Sequence, residues 1–255
     1  NGIDFIRIGT DVLNIKSSRK YIEFAKSEGI QVFSNFMKSD KADPKTFAKY
    51  AKESLNYGSD VIYIVDSCGG MFPNDLKKYI SETFDKNPSI ELGFHGHDNL
   101  GVGMANCLLS LQEGVRYIDS TLQGLGRSSG NVCTEHLICV LEKKGILKEV
   151  DPIEIMNIGE KYIRPLISST GISSLDITLG WTLTHSSHMP MILSYSKQNK
   201  IDPRKLLKYL ADNRIENFEK KNINNIIKEI KKSMTLNIDL DNWPDYFGEE
   251  EQWKN

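Results

Sequence analysis

Two histidines separated by a single glycine, His95 and His97, are the most specific chemical feature of the 255-residue sequence. His95 ends the run 91–95, which predicts a buried strand, and His97 follows two residues later. Because alternate side chains of a strand point to the same side, the two rings are expected on one side. Two neutral imidazoles on one side can bind a divalent ion, provided that a carboxylate and open coordination positions complete the site. Two hydrogen-bonded structural histidines would leave the same pattern, so the motif alone leaves both interpretations open.

Two loops of small residues follow other predicted strands, one before and one after this motif. The segment 66–70, Asp-Ser-Cys-Gly-Gly, suits a carboxylate-binding pocket with Ser67 and Gly69 as candidate substrate-binding residues, although it equally suits a tight turn. The segment 124–131 is rich in glycine, which permits close backbone approach, and its last residue, Asn131, could cap the following helix or reach a metal. Together with the segment that holds His95 and His97, these two loops place small residues at three successive strand ends, which favours one shared site.

The elements that must position these residues alternate between apolar strands and amphipathic helices up to about residue 125. Strands that are apolar on both faces and separated by helices predict a parallel sheet. Asp43 followed by Pro44 predicts a helix start, and Gly58 predicts its end. Ser17 or Ser18 could cap an earlier helix. The predicted strands are 5–8, 31–36, 61–65, 91–95 and 117–122.

Five strands fit the last part of a (β/α)8, or TIM, barrel, which needs eight. In that case about a third of the barrel would precede Asn1, and we expect the chain to lack that portion. An open, doubly wound sheet of five strands is the alternative that requires nothing more. Later segments, including 134–144 and 152–164, predict helices only. We therefore divide the chain into a barrel portion, 1–148, a helical C-terminal domain, 149–235, and an acidic, aromatic tail, 236–255.

Composition narrows the class of partners. The net charge of −2 and the pI of about 6.3 favour neither nucleic acid nor an anionic membrane as a partner. No apolar run approaches the roughly 20 residues that span a bilayer. The four cysteines form no CxxC motif, which fits reduced thiols. We expect a soluble, cytoplasmic protein.

Three runs of the sequence carry a resemblance to the HMG-CoA lyase-like superfamily of metal-dependent aldolase and acyl-transfer barrels. Within it, the chain is most similar to the 4-hydroxy-2-oxovalerate aldolase branch, and the similarity extends to about residue 232. That branch is indicated by the spacing of 62–67, Met71, 163–166 and 179–180. The three superfamily runs are His95-Gly-His-Asp-Asn-Leu-Gly, Tyr117-Ile-Asp-Ser-Thr-Leu-Gln-Gly-Leu-Gly and Gly130-Asn-Val-Cys-Thr-Glu.

The resemblance implies a divalent ion bound by His95 and His97, with Asn131 at or near it, and Ser67 in the substrate pocket. Mn²⁺ is the ion expected, with Mg²⁺, Co²⁺ or Zn²⁺ as alternatives. The resemblance also implies an Arg-Asp pair on an initial strand that carries the third ligand. A histidine base would lie in the same missing portion. Without it we expect the chain to be inactive.

The activity implied is aldol cleavage of a 4-hydroxy-2-oxo acid to pyruvate and an aldehyde through a metal-stabilised enolate. The resemblance also implies a partner aldehyde dehydrogenase or a homo-oligomer. One departure matters, because Trp181 stands where the aldolases carry a tyrosine, and His185 replaces the next aromatic. His185 or His188 could take over the phenol's proton transfer, and we take His185 as the catalytic candidate. The alternatives are a Claisen-type acyl-CoA lyase or synthase, and a truncated, non-catalytic barrel that acts in binding or assembly.

Overall fold

The structure is a computed structural model that describes residues 2–167, 173–215 and 225–230. Its sheet has five parallel strands, and each strand pairs with the next one in the chain, in the order β1-β2-β3-β4-β5. This confirms the predicted parallel sheet. The strands are β1 (Phe5–Asp11), β2 (Gln31–Met37), β3 (Val61–Asp66), β4 (Glu91–Gly96) and β5 (Tyr117–Ile118).

Helices connect the strands on one side of the sheet. They are α1 (Arg19–Ser27), α2 (Pro44–Tyr57), α3 (Pro73–Lys86) and α4 (Gly103–Gln112). The start of α2 is as predicted, because the side chain of Asp43 accepts hydrogen bonds from two backbone amides of its first turn, and Pro44 needs no donor there. Gly58 ends α2 with a left-handed φ of 113°.

The two faces of the sheet carry different side chains. The helix side packs apolar residues such as Ile62, Ile64 and Phe94 into the largest core. The opposite side carries aromatic residues, with Phe33, Tyr63 and Tyr117 in one smaller cluster. We call the side that carries Phe33, Tyr63 and Tyr117 the inner side of the sheet.

An ion pair between the two ends of the sheet shows that it curves around the inner side. Arg7 on β1 donates a hydrogen bond to Asp119, directly after β5, over 2.6 Å. In a flat sheet, four strand spacings would separate these strands by roughly 19 Å. A barrel-like curvature, and not a flat open sheet, therefore brings inner side chains of distant strands together. Closure into a barrel stays a prediction.

After β5 the described residues are mainly helical. The helices are α5 (Thr134–Lys143), α6 (Pro152–Ile158), α7 (Ser174–Thr182), α8 (Met189–Asn199) and α9 (Pro203–Asp212). Helices α7 to α9 and residues 225–230 share a second apolar core. A separate C-terminal domain fits this core but stays a prediction. Within the described ranges, no helix is both long enough and apolar enough to span a bilayer.

Several predicted boundaries were wrong. The strand predicted over 117–122 ends at Ile118. The helix predicted over 152–164 is confirmed as a helical stretch, although it changes after Ile158 from α-helix to a π-helical turn, Gly159–Ile163. Ser18 precedes α1 but makes no side-chain cap, because its hydroxyl donates to the carbonyl of Ile15. The tail predicted over 236–255 lies outside the described residues.

Candidate active site at the carboxyl ends of the strands

The end of β4 places the two motif histidines on the inner side of the sheet. His95 is paired with Val65 of β3, whose side chain belongs to the inner aromatic cluster. The ring centroids of His95 and His97 lie 5.4 Å apart, with the ring planes at 75°. The predicted same-side arrangement is therefore confirmed, and both rings stand where parallel strands end, which is where barrel enzymes build their sites.

A carboxylate fixes the orientation of His95. The Nδ1 atom of His95 lies 2.8 Å from Oδ2 of Asp119, and the same oxygen accepts a hydrogen bond from Arg7. Arg7 is held by a second hydrogen bond, from Nε to the side-chain oxygen of Asn35 over 3.3 Å. Its guanidinium also stacks 4.2 Å from the ring centroid of Tyr63. A carboxylate acceptor places the ring proton on Nδ1 and leaves the lone pair on Nε2.

Asp119 stays ionised in this setting. Burial alone would raise the pKa of Asp119, but hydrogen bonds from His95 and Arg7, together with the charge of Arg7, lower it below the ordinary value. An ionised carboxylate that accepts from the distal nitrogen of a histidine is the arrangement that accompanies metal-ligating histidines in proteins.

A backbone carbonyl fixes the orientation of His97. Its Nδ1 atom lies 3.2 Å from the carbonyl oxygen of Arg127, which can only accept a hydrogen bond. The proton therefore sits on Nδ1, and Nε2 carries the lone pair. Desolvation, reinforced by the neighbouring His95, lowers the pKa of His97 to about 3. The imidazole is neutral at physiological pH, which is the form that binds metals.

Asn131 lies beside His97, and its side-chain oxygen is available to contact a cation or a hydrogen-bond donor. The two residues form an isolated antiparallel bridge, and the side-chain nitrogen of Asn131 donates to the carbonyl of Leu125 over 3.2 Å. Its Oδ1 atom is buried and, among the described residues, accepts no hydrogen bond. Such an orphaned oxygen is costly unless a cation or donor meets it. The predicted capping role is wrong, because Cys133 occupies the position before α5.

The donors at this strand end fit a divalent ion. Two neutral imidazoles with fixed tautomers and one unpartnered amide oxygen are ligands that Mn²⁺, Zn²⁺ or Co²⁺ accept. They carry no charge, however. Within the described residues, no group of three or more His, Cys, Asp or Glu side chains is placed to hold an ion. An anionic ligand would have to come from elsewhere.

The loop after β3 brings Ser67 to the same end of the sheet. The Oγ atom of Ser67 accepts the backbone amide of Lys38 over 2.9 Å, so its own proton can be donated to a carboxylate. Gly69 has a φ of +61°, and a Cβ atom there would lie 2.5 Å from the amide nitrogen of Asn99. The amide of Gly69 already points to the carbonyl of Asp66. The geometry therefore explains Gly69 by close packing, and its substrate contact stays a prediction.

Helix α7 packs closely against this loop through a set of contacts that we call the Asn99 seam. It consists of Gly70, Asn99 and Ser128 on one side and Asp176 and Gly180 of α7 on the other. A Cβ atom on Gly70 would lie 2.3 Å from the carbonyl oxygen of Gly180 in α7. The buried side chain of Asn99 donates from Nδ2 to Ser128 over 2.7 Å and to the carbonyl of Asp176 over 2.9 Å. This seam sets where the residues after α7 lie.

His185 follows α7, and a hydrogen bond to its Nδ1 atom fixes the tautomer in which Nε2 is the donor. Its Nδ1 atom accepts the backbone amide of Ser187 over 3.2 Å, so in the neutral ring the proton sits on Nε2. Desolvation, with the positive charges of Arg127 and Lys38, lowers the pKa of His185 to about 4. A neutral ring with Nε2–H can donate a hydrogen bond but is a poor base. Trp181 is 61% exposed on α7, near the ammonium of Lys208.

Comparisons with known proteins show the family and the fold of this chain. The model of one protein family, described as HMGL-like, matches residues 8–161, which is more than half of the chain. The chain belongs to the HMGL-like family. The 4-hydroxy-2-oxovalerate aldolase of Geobacillus genomosp. 3 is 34% identical over 207 residues, which are 81% of this chain and 61% of that protein. The chain thus spans about three fifths of the length of this curated relative.

Two solved structures show the same fold. One is the crystal structure of the N-terminal domain of an aldolase candidate from Bacteroides vulgatus, with 26% identity and a TM-score of 0.62 over 89% of this chain and 67% of that one. The other is HMG-CoA lyase from Brucella melitensis, with 19% identity and a TM-score of 0.56 over 62% of this chain and 65% of that one. The second likeness concerns the fold alone.

Arg7 and Asp119 of this HMGL-like chain were not predicted as site residues. Arg7 interrupts the otherwise apolar run predicted as a strand over 5–8, and a charge within an apolar run signals a partner across the sheet. Asp119 stands directly after the apolar pair of β5, within one of the runs that carry the resemblance. Either signal could have placed these two residues in the site, but their pairing required the curvature of the sheet.

Proposed function

We propose that the chain supplies the histidine-bearing part of a divalent-metal-dependent carbon–carbon lyase that cleaves a 4-hydroxy-2-oxo acid to pyruvate and an aldehyde. One observation carries the proposal. Acceptors hold the Nδ1 protons of both motif histidines, so both Nε2 lone pairs remain available, and Asn131, which bridges His97, has a side-chain oxygen that accepts no hydrogen bond among the described residues. The name and 34% identity of the Geobacillus relative support the substrate class.

We infer that His95 and His97 hold the ion, with Asn131 as a third, neutral contact, and that the ion is Mn²⁺. When bound, such an ion supplies Lewis-acid stabilisation of the charge that develops on the oxo group as the C–C bond breaks. Asp119 keeps the His95 ring in place and raises its basicity as a ligand. Arg7 in turn holds Asp119 ionised.

The substrate's carboxylate would be met by the hydroxyl of Ser67, with Gly69 keeping the loop close to the strand ends. His185 would donate from Nε2 to an oxygen of the substrate or of the departing aldehyde. Because its pKa is lowered to about 4, His185 does not serve as the base that takes the 4-hydroxyl proton. Within the described residues, no group of three or more His, Cys, Asp or Glu side chains is placed to hold the ion, so we propose that this base and an anionic ligand are supplied by other residues. That the chain alone is inactive, that it has a partner aldehyde dehydrogenase and that it is cytoplasmic stay predictions.

The proposal is tested by titrating Mn²⁺ into the chain and into a longer product, extended at its amino end to the length of the curated relatives, with calorimetric detection. His95→Ala and His97→Ala should each remove most of the binding, whereas His136→Ala, which changes an exposed histidine of α5, should not. The longer product should release pyruvate from 4-hydroxy-2-oxovalerate. Unchanged Mn²⁺ affinity after both motif histidines are replaced would overturn the proposal.

A further inference from the structure

A cavity lies on the helix side of the sheet, and its lining does not include the two histidines. Its volume is about 240 Å³, and it opens between the loop after β2 and the start of α3. None of the histidines, Ser67 or Asn131 lines it. Its walls are mostly apolar, and its polar residues are two aspartates and one lysine. The lining residues are Asp40, Pro44, Gly70, Met71, Asp75, Lys78, Tyr79 and Leu183.

Asp40 is the unusual member of this set. Its side chain is only 9% exposed, and within the described part of the chain neither carboxylate oxygen accepts a hydrogen bond. A buried carboxylate without donors carries a large desolvation cost, so such groups are ordinarily paired or hydrogen-bonded. Asp40 lines the cavity, but both of its carboxylate oxygens are closed to solvent while Lys41 is paired with it, so a donor from the cavity reaches them only when the Lys41 side chain moves aside.

The neighbouring donors are engaged elsewhere. The hydroxyl of Tyr79 donates to the carbonyl of Ala42 over 2.8 Å, and the ammonium of Lys78 pairs with Asp75 over 2.9 Å. Lys41 is the nearest cation, 3.4 Å from Oδ2 of Asp40, but it makes no hydrogen bond there. Its ammonium donates instead to the carbonyl of Leu183 over 3.4 Å.

Lys41 lies close to the carboxylate of Asp40 but donates no hydrogen bond to it. Its side chain is 35% exposed, and both of its contacts are long, so another cation can displace it at little cost. The rest of the wall is apolar, with Met71 and Tyr79 buried and Leu183 at the mouth. An engineered cavity of roughly 150 Å³ is known to admit benzene, so a cavity of this size holds one small ring or short chain.

We propose that this cavity is a binding site for a small organic ammonium ion with an apolar substituent. Its charged group takes the place of the Lys41 ammonium against Asp40, and its apolar part lies between Met71, Tyr79 and Leu183. The site is independent of the metal and of the lyase reaction. A ligand there would contact both the loop after β2 and Leu183 after α7, which are joined by the Lys41–Leu183 hydrogen bond.

The test uses benzylammonium as the probe and the complete 255-residue chain, with binding followed by calorimetry. We expect millimolar binding of benzylammonium and at least tenfold weaker binding of benzyl alcohol, which has the same shape without the charge. Asp40→Asn should weaken benzylammonium binding at least tenfold. Asp75→Asn removes the same charge from the rim, where the side chain is 52% exposed, and should change binding less than twofold.

Lys41→Ala supplies the opposite prediction. It removes the competing cation and uncovers the carboxylate, so benzylammonium should bind several-fold more tightly. The site would be refuted by absence of benzylammonium binding, by equal binding of benzyl alcohol, or by equal losses in the Asp40 and Asp75 variants. Circular dichroism of each variant, compared with the unsubstituted chain, separates loss of the site from loss of the fold.

Discussion

The side chain of Asn99 joins three segments at the candidate site, and its removal should measurably loosen them. Asn99 is 3% exposed, and its Nδ2 atom donates to the hydroxyl of Ser128 and to the carbonyl of Asp176. Ser128 donates in turn to the carboxylate of Asp176 over 2.6 Å. The amide thus links the end of β4, the loop after β5 and helix α7.

The loss in Asn99→Ala follows from these contacts. Two hydrogen bonds at about 1 kcal/mol each give a loss of about 2 kcal/mol. The carbonyl of Asp176 loses its donor, and the space that the Asn99 amide group filled beside Gly69 is left empty, which adds a cavity cost. In the opposite direction, the Oδ1 atom of Asn99 is buried without a hydrogen bond among the described residues, and its removal recovers part of that cost. We expect a net loss of roughly 2–3 kcal/mol.

Asn99→Asp sharpens the test because it keeps the shape and removes the donors. Its carboxylate would face the carbonyl and carboxylate of Asp176, so this variant should lose more stability than Asn99→Ala. Asn213→Ala is the matched control, since Asn213 also donates to a carbonyl, that of Tyr209, but is exposed. The control should cost less than about 0.5 kcal/mol.

Urea denaturation followed by circular dichroism gives the free energy of unfolding of each variant. Hydrogen exchange should locate the loosening in α7, where the amides of the helix depend on the seam. The reasoning would be refuted if Asn99→Ala unfolded at the same urea concentration as the unsubstituted chain. It would equally be refuted if Asn99→Asp were milder than Asn99→Ala.

Three further predictions concern other contacts. Arg7→Met should lower Mn²⁺ affinity about 10- to 100-fold in a calorimetric titration, because Asp119, the acceptor of the His95 proton, loses the cation that holds it in place. Arg7→Lys should lose less affinity, and equal affinities of the two variants and the unsubstituted chain would contradict this role of Arg7. Burial raises the pKa of Asp40, so the stability it contributes is present below the ordinary aspartate pKa of about 3.9 and is lost as pH rises. Asp40→Asn should therefore raise the free energy of unfolding at neutral pH and leave it unchanged in acid, as urea titrations at both pH values would show. Gly159→Ala should cost about 1–3 kcal/mol, because its Cβ would overlap the carboxylate of Glu135, which hydrogen bonds from Gln123 hold in place. Gly9→Ala is the control, since its Cβ would only reach ordinary van der Waals contact with Met37, and it should melt near the parent temperature.

The sequence was sufficient for the first four strands and the helices between them, because strong local signals mark them. The run 61–65 is apolar throughout, and β3 is buried along its whole length. Asp43, Pro44 and Gly58 fix both ends of α2 through local backbone chemistry. Each of these signals lies within a few residues of the structure that it determines, so no tertiary contact was needed to read it.

The candidate site could be predicted only in part for the same reason. The side of the sheet on which His95 and His97 lie follows from strand alternation. Their tautomers do not, because they depend on Asp119 and on the carbonyl of Arg127, which lie 24 and 30 residues further along the chain. Arg7 meets Asp119 across 112 residues, a pairing that only the curvature of the sheet produces.

The early end of β5 at Ile118, where a longer strand was predicted, explains how the site is assembled. Had the strand continued from Ile118 to Leu122, the chain would have carried the following loop away from β4. Instead the ladder stops, and the amide of Thr121 donates to the carbonyl of Val132 over 3.0 Å, which folds the loop back. The amide of Asp98 then meets the carbonyl of Gly130 over 3.1 Å, and His97 bridges Asn131.

That return positions three groups at once, two of them at the histidines and one at Asn99. It delivers the carbonyl of Arg127 to His97, the orphaned oxygen of Asn131 to the same strand end, and Ser128 to the Asn99 seam. Glycines at 124 and 130 take φ values of +67° and +88° within the loop, a backbone conformation that side chains with a Cβ rarely adopt. The glycine density that the sequence displays is therefore required by the turn that completes the site, and substitutions there should affect metal binding before they affect the sheet.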